Sequence, residues 1–413
     1  MPEANVTPDP IRFDPEATGP LAGYRVLDLS RLVAGNMLSL QLADFGAEVI
    51  KVEPPDGDPL RAWRDGGQPL FWKTYSRNKL SIVLNLRQPA ATEALLRLVN
   101  GADVFIENFR PGTLEAMGLH PDLLRARNPR LVIVRISGFG QTGPYAKQPG
   151  FGTLVEAMSG FADRTGFPDR EPVLPPLALA DMIAGLSGAM AVVTALLARE
   201  RSRDDSGGGQ VIDLSLLEPI FSTLGPEAAI YQQTGQIKQR MGNGSNTSAP
   251  RNIYRCADGG FVALSGSIQA MAKRIFAVIG KPEMIDDPRF RTNTDRVQNR
   301  ELVDAAVGGW FTARTRDEAL AIMREAGVTA GPVYDIADAI ADPHFREREV
   351  LVDVEDDDLG SIPVHNIVPR LSGTPGVWRH QAPLLGQHTD ALLAAAGYAE
   401  GDIAQLRADG AVA

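Results

Sequence analysis

Gly23-Tyr-Arg-Val-Leu-Asp-Leu-Ser30 is a short apolar run that reads as a strand. The segment Ala34–Phe45 after it has helical character, and Glu48-Val-Ile-Lys-Val-Glu53 reads as a second strand. Strand, helix, strand at this spacing is a βαβ unit, and βαβ units build parallel sheets. The pattern repeats outward. Ser81–Leu86 is a strand, Pro89–Val99 a helix, Asp103–Glu107 a strand, Pro121–Arg127 a helix and Leu131–Ile136 a strand. The fold class that follows is α/β, with an open sheet.

The middle of the chain has another character. Gln210–Leu214 reads as a strand and Ser215–Gln233 as one helix, and Met241–Pro250 is a polar loop dense in turn formers. Arg251–Ser265 reads as a strand pair around Asp258-Gly-Gly260, with helices continuing to about Gly327. From Val350 strand patterns return, and Val354–Gly360 is a solvated acidic hairpin turn without the spacing of a calcium loop. The expected layout is a flexible arm (1–20), a large domain (21–215), a linker helix (216–235), a smaller α+β domain (236–330) and a linker returning to the large domain (331–413). Ala184–Ala198 is apolar for about fifteen residues, short of the roughly twenty that span a bilayer, and its Ala, Gly and Ser content suits a buried core helix.

The 413 residues carry a net charge of −10, which disfavours a nucleic-acid or membrane-surface binder. A single cysteine, Cys256, rules out an internal disulfide and fits a cytoplasmic protein. Five scattered histidines suggest no metal site. The turn Ser30-Arg-Leu-Val-Ala-Gly-Asn36 lacks the G-x-G-x-x-G that admits a dinucleotide pyrophosphate. Gly185-Leu-Ser-Gly-Ala189 lacks the last glycine of a hydrolase nucleophile elbow. One carboxylate stands out. Asp181 opens a strongly apolar helix, where it is either an ordinary N-cap or a nucleophile kept ionised by the helix end.

Several stretches together resemble the family III CoA-transferases, the CaiB/BaiF group of formyl-CoA transferase and carnitine CoA-transferase. They are Leu21–Ser30, Leu42–Pro54, Asn78–Leu86, Glu107–Gly112, Asn128–Leu131, Ser137–Gly140, Ala180–Gly185, Asp287–Phe290 and Pro383–Thr389. The resemblance runs from about Leu21 to Tyr398. It implies an interlocked homodimer with a large Rossmann-like domain built from both chain ends and a smaller middle domain. It further implies that Asp181 attacks an acyl-CoA thioester and that CoA passes through an aspartyl thioester to an incoming acid. Coenzyme A contacts are implied at Val33, Ala34, Leu84–Arg87, Asn108, Phe109 and Arg110; Lys51, a basic residue near them, and Phe151 are further candidate contacts. Other basic groups that could serve the CoA phosphates are Arg61, Arg77 and Lys79.

Met241–Asn246, with Gly242 and Gly244, is the expected covering loop. Arg251 beside it could clamp the far carboxylate of a C4–C5 dicarboxylate, which makes succinyl-CoA a natural donor. A related racemase would need general bases where this chain has Phe151 and Gln269, neither able to take a proton near neutral pH. A formyl-CoA or carnitine type of transferase, and a non-catalytic CoA-binding relative in which Asp181 only caps its helix, are the other readings.

Overall fold

The computed structural model describes residues 9–202 and 207–413. Two compact units divide them. The first takes in the described residues of Met1–Ser159, Pro175–Gly225 and Arg346–Ala413; the second comprises Gly160–Leu174 and Pro226–Phe345. Gly160–Leu174 lies inside the stretch expected in the large domain, yet clusters with the second unit.

The first unit holds a six-stranded sheet in the order β3-β2-β1-β4-β5-β6, with every pair parallel. The strands are β1 (Arg25–Asp28), β2 (Glu48–Glu53), β3 (Lys79–Val83), β4 (Val104–Glu107), β5 (Val132–Ser137) and β6 (Val211–Ser215). The helices up to β6 are α1 (Ala34–Asp44), α2 (Leu70–Tyr75), α3 (Pro89–Val99), α4 (Thr113–Ala116), α5 (Pro121–Arg127), α6 (Gly152–Met158), α7 (Phe161–Arg164) and α8 (Leu179–Arg201). This is the doubly wound order, in which the chain reverses direction between β1 and β4 and leaves a crevice beyond their carboxyl ends.

Register explains the core. Ile50, Leu27, Phe105 and Ile133 lie side by side across β2, β1, β4 and β5, and none is exposed to solvent. α3 and the chain's C-terminal helices cover this row with Leu95, Val99, Leu393 and Ile403. α1 packs along α8 at glycine-limited distance. A Cβ at Gly185 would stand 2.7 Å from the Met37 Cβ, and one at Gly188 would stand 2.5 Å from Leu38. The small residues of α8 serve that approach.

Three expectations need correction. α8 is a 23-residue helix, long and apolar enough by length and composition alone to cross a membrane. It is also buried on one side only: Leu186, Met190, Val193 and Leu197, at helical spacing along the other side, are 42–70% exposed. The single linker helix is two, α9 (Leu217–Ser222) and α10 (Glu227–Thr234). Between them Gly225 takes φ +64 and Pro226 follows, a pair that ends one helix and restarts another. The expected arm is tied down from residue 9 onward where it is described. Ile11 N–H donates to Asp353 O, Asp14 N–H donates to Trp378 O, and Phe13 packs edge-on against Trp378; residues 1–8 lie outside the described residues.

The returning segment forms the hairpin β10 (Leu351–Asp356) and β11 (Gly360–His365), preceded in the chain by the second unit's sheet of β7 (Arg251–Arg255), β8 (Phe261–Ser265) and β9 (Ala330–Pro332). The acidic hairpin turn is not wholly solvated, because buried Asp356 takes a salt bridge from Lys73 Nζ at 2.6 Å. β7 and β8 pair antiparallel across the expected Asp258-Gly-Gly260 turn. They close a core of Tyr254, Val262, Phe276, Val307 and Phe311.

Candidate functional site

The crevice at the β1/β4 reversal is floored by a buried ionic network. Lys51, in the middle of β2, is fully buried; its Nζ lies 3.1 Å from Asp58 Oδ2 and 3.4 Å from Asp28 Oδ1, and it donates to Ser30 O. Asp58 accepts from Leu32 N–H at 3.0 Å, Asn36 Nδ2 at 2.8 Å and Leu60 N–H at 2.9 Å. This network holds the β1–α1 turn in the shape that glycine would otherwise provide. Leu32 sits at φ +63, a left-handed conformation that costs a branched side chain free energy and persists only where its surroundings enforce it. Burial works to lower the Lys51 pKa, but Asp28, Asp58 and Glu53 outweigh it and raise it above the ordinary lysine value. Burial likewise works to raise the Asp58 carboxyl, and Lys51 with the backbone donors holds it below the ordinary value.

Lys51 therefore cannot meet a phosphate in this structure: it is enclosed and its donors are committed. The same correction applies to Lys79 and Arg77. Lys79 is fully buried and donates to Asn36 O and Oδ1 at 3.0 and 3.1 Å; burial first, and then repulsion from Lys51, draws it down to about 7. Arg77 is bound to Asp44 at 2.7 Å and lies over Trp378. Arg61 holds Glu53 through two bonds of 2.7 and 2.8 Å and stacks on Trp72 at 3.7 Å.

The rim of the crevice gathers other expected residues. A groove of about 340 Å³ is lined by Leu29, Arg31, Val52–Asp56, Leu84–Arg87, Phe109 and Met117. Leu84, Arg87 and Phe109 thus meet in one place, with Arg87 exposed. Asn108 spends its amide on the turn: its Oδ1 accepts from Arg31 N–H at 2.9 Å and its Nδ2 donates to Arg31 O at 2.8 Å, bridging β4 to β1. Arg110 is exposed but is not part of the groove lining. Val33 and Ala34 are 3% exposed, with Val33 packed on Leu60 and Trp72, so they can offer a ligand only the backbone of the first turn of α1. Arg31, its guanidinium 5.7 Å from the Phe109 ring centre, was not among the expected contacts, although its place in the first βα turn was a usable signal.

Asp181 is not an N-cap. Ala178 holds that position without a side-chain acceptor, and Asp181 is the third residue of α8. The missing cap comes from another helix. Glu156 of α6, 3% exposed, accepts the Ala180 N–H on its Oε1 at 3.0 Å. One turn earlier on α6, Gly152 makes room for the nucleophile candidate, since a Cβ there would stand 2.1 Å from Asp181 Oδ2. Among the described residues no cation balances Asp181. Burial, and then the charge of Glu156, push its carboxyl up to about 6. Phe151, directly before α6, is 60% exposed. Neither Gly152 nor Glu156 announced itself in the sequence.

In the second unit, Gly242 at φ +57 donates its N–H to Gly166 O, where the Phe167 ring leaves no space for a Cβ. Arg251 Nη1 donates to Gly244 O at 2.9 Å, and Arg300 donates to Ser245 O at 2.7 Å. The loop and Arg251 border a groove of about 450 Å³ that also exposes Asn252, Ser265 and Thr329. Gln269, at a racemase base position, spends its amide on Arg296 and on Arg291 O. Among the described residues no group of three His, Cys, Asp or Glu could hold a metal ion.

Known proteins match this chain along nearly its whole length. The succinyl-CoA–D-citramalate CoA-transferase of Chloroflexus aurantiacus is 42% identical over 94% of this chain and 97% of its own. The alpha subunit of a succinyl-CoA–L-malate CoA-transferase from the same species is 38% identical over 90% and 87%. The crystal structure of a CaiB/BaiF family protein from Brucella suis superposes with a TM-score of 0.81 at 34% identity, covering 92% of this chain and all of that one. The family model described as CoA-transferase family III spans residues 21–389, from just before the strand that opens the parallel sheet to the first residue of a helix covering it, and the chain belongs to that family.

Proposed function

We propose that this protein transfers CoA from succinyl-CoA to a C4–C5 dicarboxylic acid, with Asp181 as the nucleophile. One observation carries the assignment: Asp181 is a half-buried carboxylate in the first turn of a helix, with no cation among the described residues to quench it and a glycine clearing the space before it. The named relatives use succinyl-CoA with citramalate or malate, both short dicarboxylates, which supports the substrate class.

The steps conserve the thioester. An Asp181 Oδ attacks the succinyl carbonyl carbon, the C–S bond breaks, and CoA leaves as a thiolate, giving a mixed anhydride. The thiolate attacks Asp181 Cγ, the Cγ–O bond breaks, and succinate departs from an aspartyl-CoA thioester. The acceptor carboxylate then repeats both steps in reverse. Covalent storage keeps the acyl energy from water, and a carboxyl raised to about 6 is ionised at neutral pH yet more basic than a solvated aspartate. The groove at Leu84, Arg87 and Phe109 is the proposed CoA berth, with Val33, Ala34, Asn108 and Arg110 around it; Phe151 would meet the acyl end. Gly242, Gly244 and Arg251 form the proposed acid-binding loop, and the reaction needs no metal. The protein is further proposed to be a cytoplasmic homodimer. The exposed apolar stripe of α8 supports the second copy, and a monomeric mass by light scattering would refute it.

The test is whole-protein mass spectrometry after incubation with succinyl-CoA, with hydroxylamine or borohydride trapping. The expected result is a modification on Asp181 that is absent from Asp181→Ala, together with a rate loss of at least about a thousandfold in that variant. Undiminished transfer by Asp181→Ala would end the assignment.

A further inference from the structure

We infer that Glu156 is a positioning residue for Asp181, which holds the first turn of α8 in place and drives the nucleophile toward its acylated state by like-charge proximity. The inference rests on Asp181 being the nucleophile and says what sets its reactivity.

The geometry comes from one face of α6. Gly152 and Glu156, four residues apart, both point at the start of α8: the first by a close approach to Asp181 Oδ2, the second through the 3.0 Å bond from Ala180 N–H to Oε1. The Glu156 side chain is sequestered at 3% exposure, and Ala180 is fully buried. Helix α8 has no cap of its own, so the acceptor from α6 satisfies one of its orphan N–H groups. A neutral acceptor would do that as well. Here the acceptor is a second carboxyl group beside the reactive one.

Other charges do not cancel it. The charged side chains on the elements packed against α8 are Asp44 on α1, Glu156 on α6, Arg135 on β5, Asp213 on β6 and Glu218 on α9. Arg135 is spent on Glu107 and Glu115, each at 2.8 Å, and Asp44 on Arg77. Asp213 accepts from Gln141 N–H. Burial raises the Asp181 carboxyl first, a backbone hydrogen bond works against it, and among the described residues Glu156 is the charged side chain that acts on it, also to raise it.

Loading converts enzyme carboxylate plus succinyl-CoA into aspartyl-CoA thioester plus succinate. The negative charge leaves Asp181 with the succinate, so repulsion from Glu156 is relieved when the thioester forms. A buried anion beside the nucleophile therefore shifts the loading equilibrium toward the covalent intermediate, without touching either substrate.

Glu156→Gln separates the two roles, because its amide oxygen can still accept the Ala180 N–H while the charge is gone. The readouts are the loading constant at pH 8, from the trapped aspartyl-CoA fraction at fixed succinyl-CoA to succinate ratios, and the acid limb of kcat/KM. The expected result is a loading constant about tenfold lower and an acid limb about one pH unit lower, with KM for succinyl-CoA little changed. A folded Glu156→Gln enzyme with wild-type loading and a wild-type limb overturns the inference while leaving Asp181 as nucleophile. If wild-type protein forms no Asp181 adduct, the nucleophile assignment falls and this inference with it. Glu156→Ser, which leaves space for a water on the Ala180 N–H, supplies the same two readings should the glutamine variant fail to fold.

Discussion

Asp58, buried in the loop after β2, and Asp181, half-buried in the first turn of α8, are both aspartates withdrawn from bulk water, and their carboxyls are pushed in opposite directions. Asp58 faces Lys51 and accepts three donors, so it is held below the ordinary carboxylate range. Asp181 is raised to about 6, by burial first and then by the carboxyl group of Glu156. The first belongs to a network in which the buried charges and amides find partners, and its product is shape: a strained Leu32 turn at the mouth of the crevice. The second is a charge the fold leaves unbalanced. Satisfied charges in a core build scaffold, while an uncompensated one near a helix start is a candidate for chemistry.

The most forceful way to break the comparison is Lys51→Met. It leaves Asp58 buried without its cation and Asp28 dependent on Lys79, 4.0 Å away, and removing one partner of a buried pair costs about 3–5 kcal/mol. Urea unfolding at neutral pH is expected to show a loss of that size, together with a weakened β1–α1 turn. A variant as stable as the parent would mean that the network is not the scaffold proposed here.

Asp181→Asn is expected to act with the opposite sign. A carboxyl raised from 3.8 to about 6 binds its proton more tightly folded than unfolded, so its ionisation destabilises the fold above pH 6. The neutral amide escapes that cost. The variant is expected to be about 3 kcal/mol more stable than the parent at pH 8, with the advantage shrinking as pH falls through 6 and gone below about 4. Denaturant midpoints of the two proteins measured across this range check it, and a constant difference at every pH would contradict the perturbed carboxyl.

How far the sequence foretells this contrast depends on the residue. Helices that begin with proline, Pro89–Val99 and Pro121–Arg127, were legible to the residue, because proline at the first helical position fixes their start. The strand Glu48–Glu53 was equally plain. Its lysine reads as a coenzyme A contact, yet a lysine inside a central strand of a parallel sheet is covered on both faces. Its acid partners come from 23 residues earlier and seven later, a pairing that no local pattern encodes. Asp181 was legible as a carboxylate on an apolar helix, but its cap and its charged neighbour were not. Glu156 is 25 residues away on a short helix, and one glutamate among apolar residues looks like any solvated charge. The apolar character of α8 shows that it packs, not which of its faces does.

The smallest effects belong to the exposed cations that inherit the role first given to Lys51. Arg87 sits at the rim of the 340 Å³ groove, and Arg251 borders the 450 Å³ one. An exposed guanidinium facing a solvated anion contributes about 1 kcal/mol and weakens with salt, whereas the enclosed Lys51 network is poorly screened. Arg87→Ala is expected to raise KM for succinyl-CoA about fivefold at low ionic strength and to approach the parent in high salt, with the KM for the acid unchanged. Arg251→Ala is expected to do the reverse, raising KM for the dicarboxylate by a similar factor and sparing that for the CoA ester. Steady-state kinetics with each substrate varied in turn separates them. If both variants raise the same constant, the two grooves do not divide the substrates as proposed; if Arg251→Ala leaves the dicarboxylate constant unmoved, the clamp is wrong and the acid is recognised elsewhere.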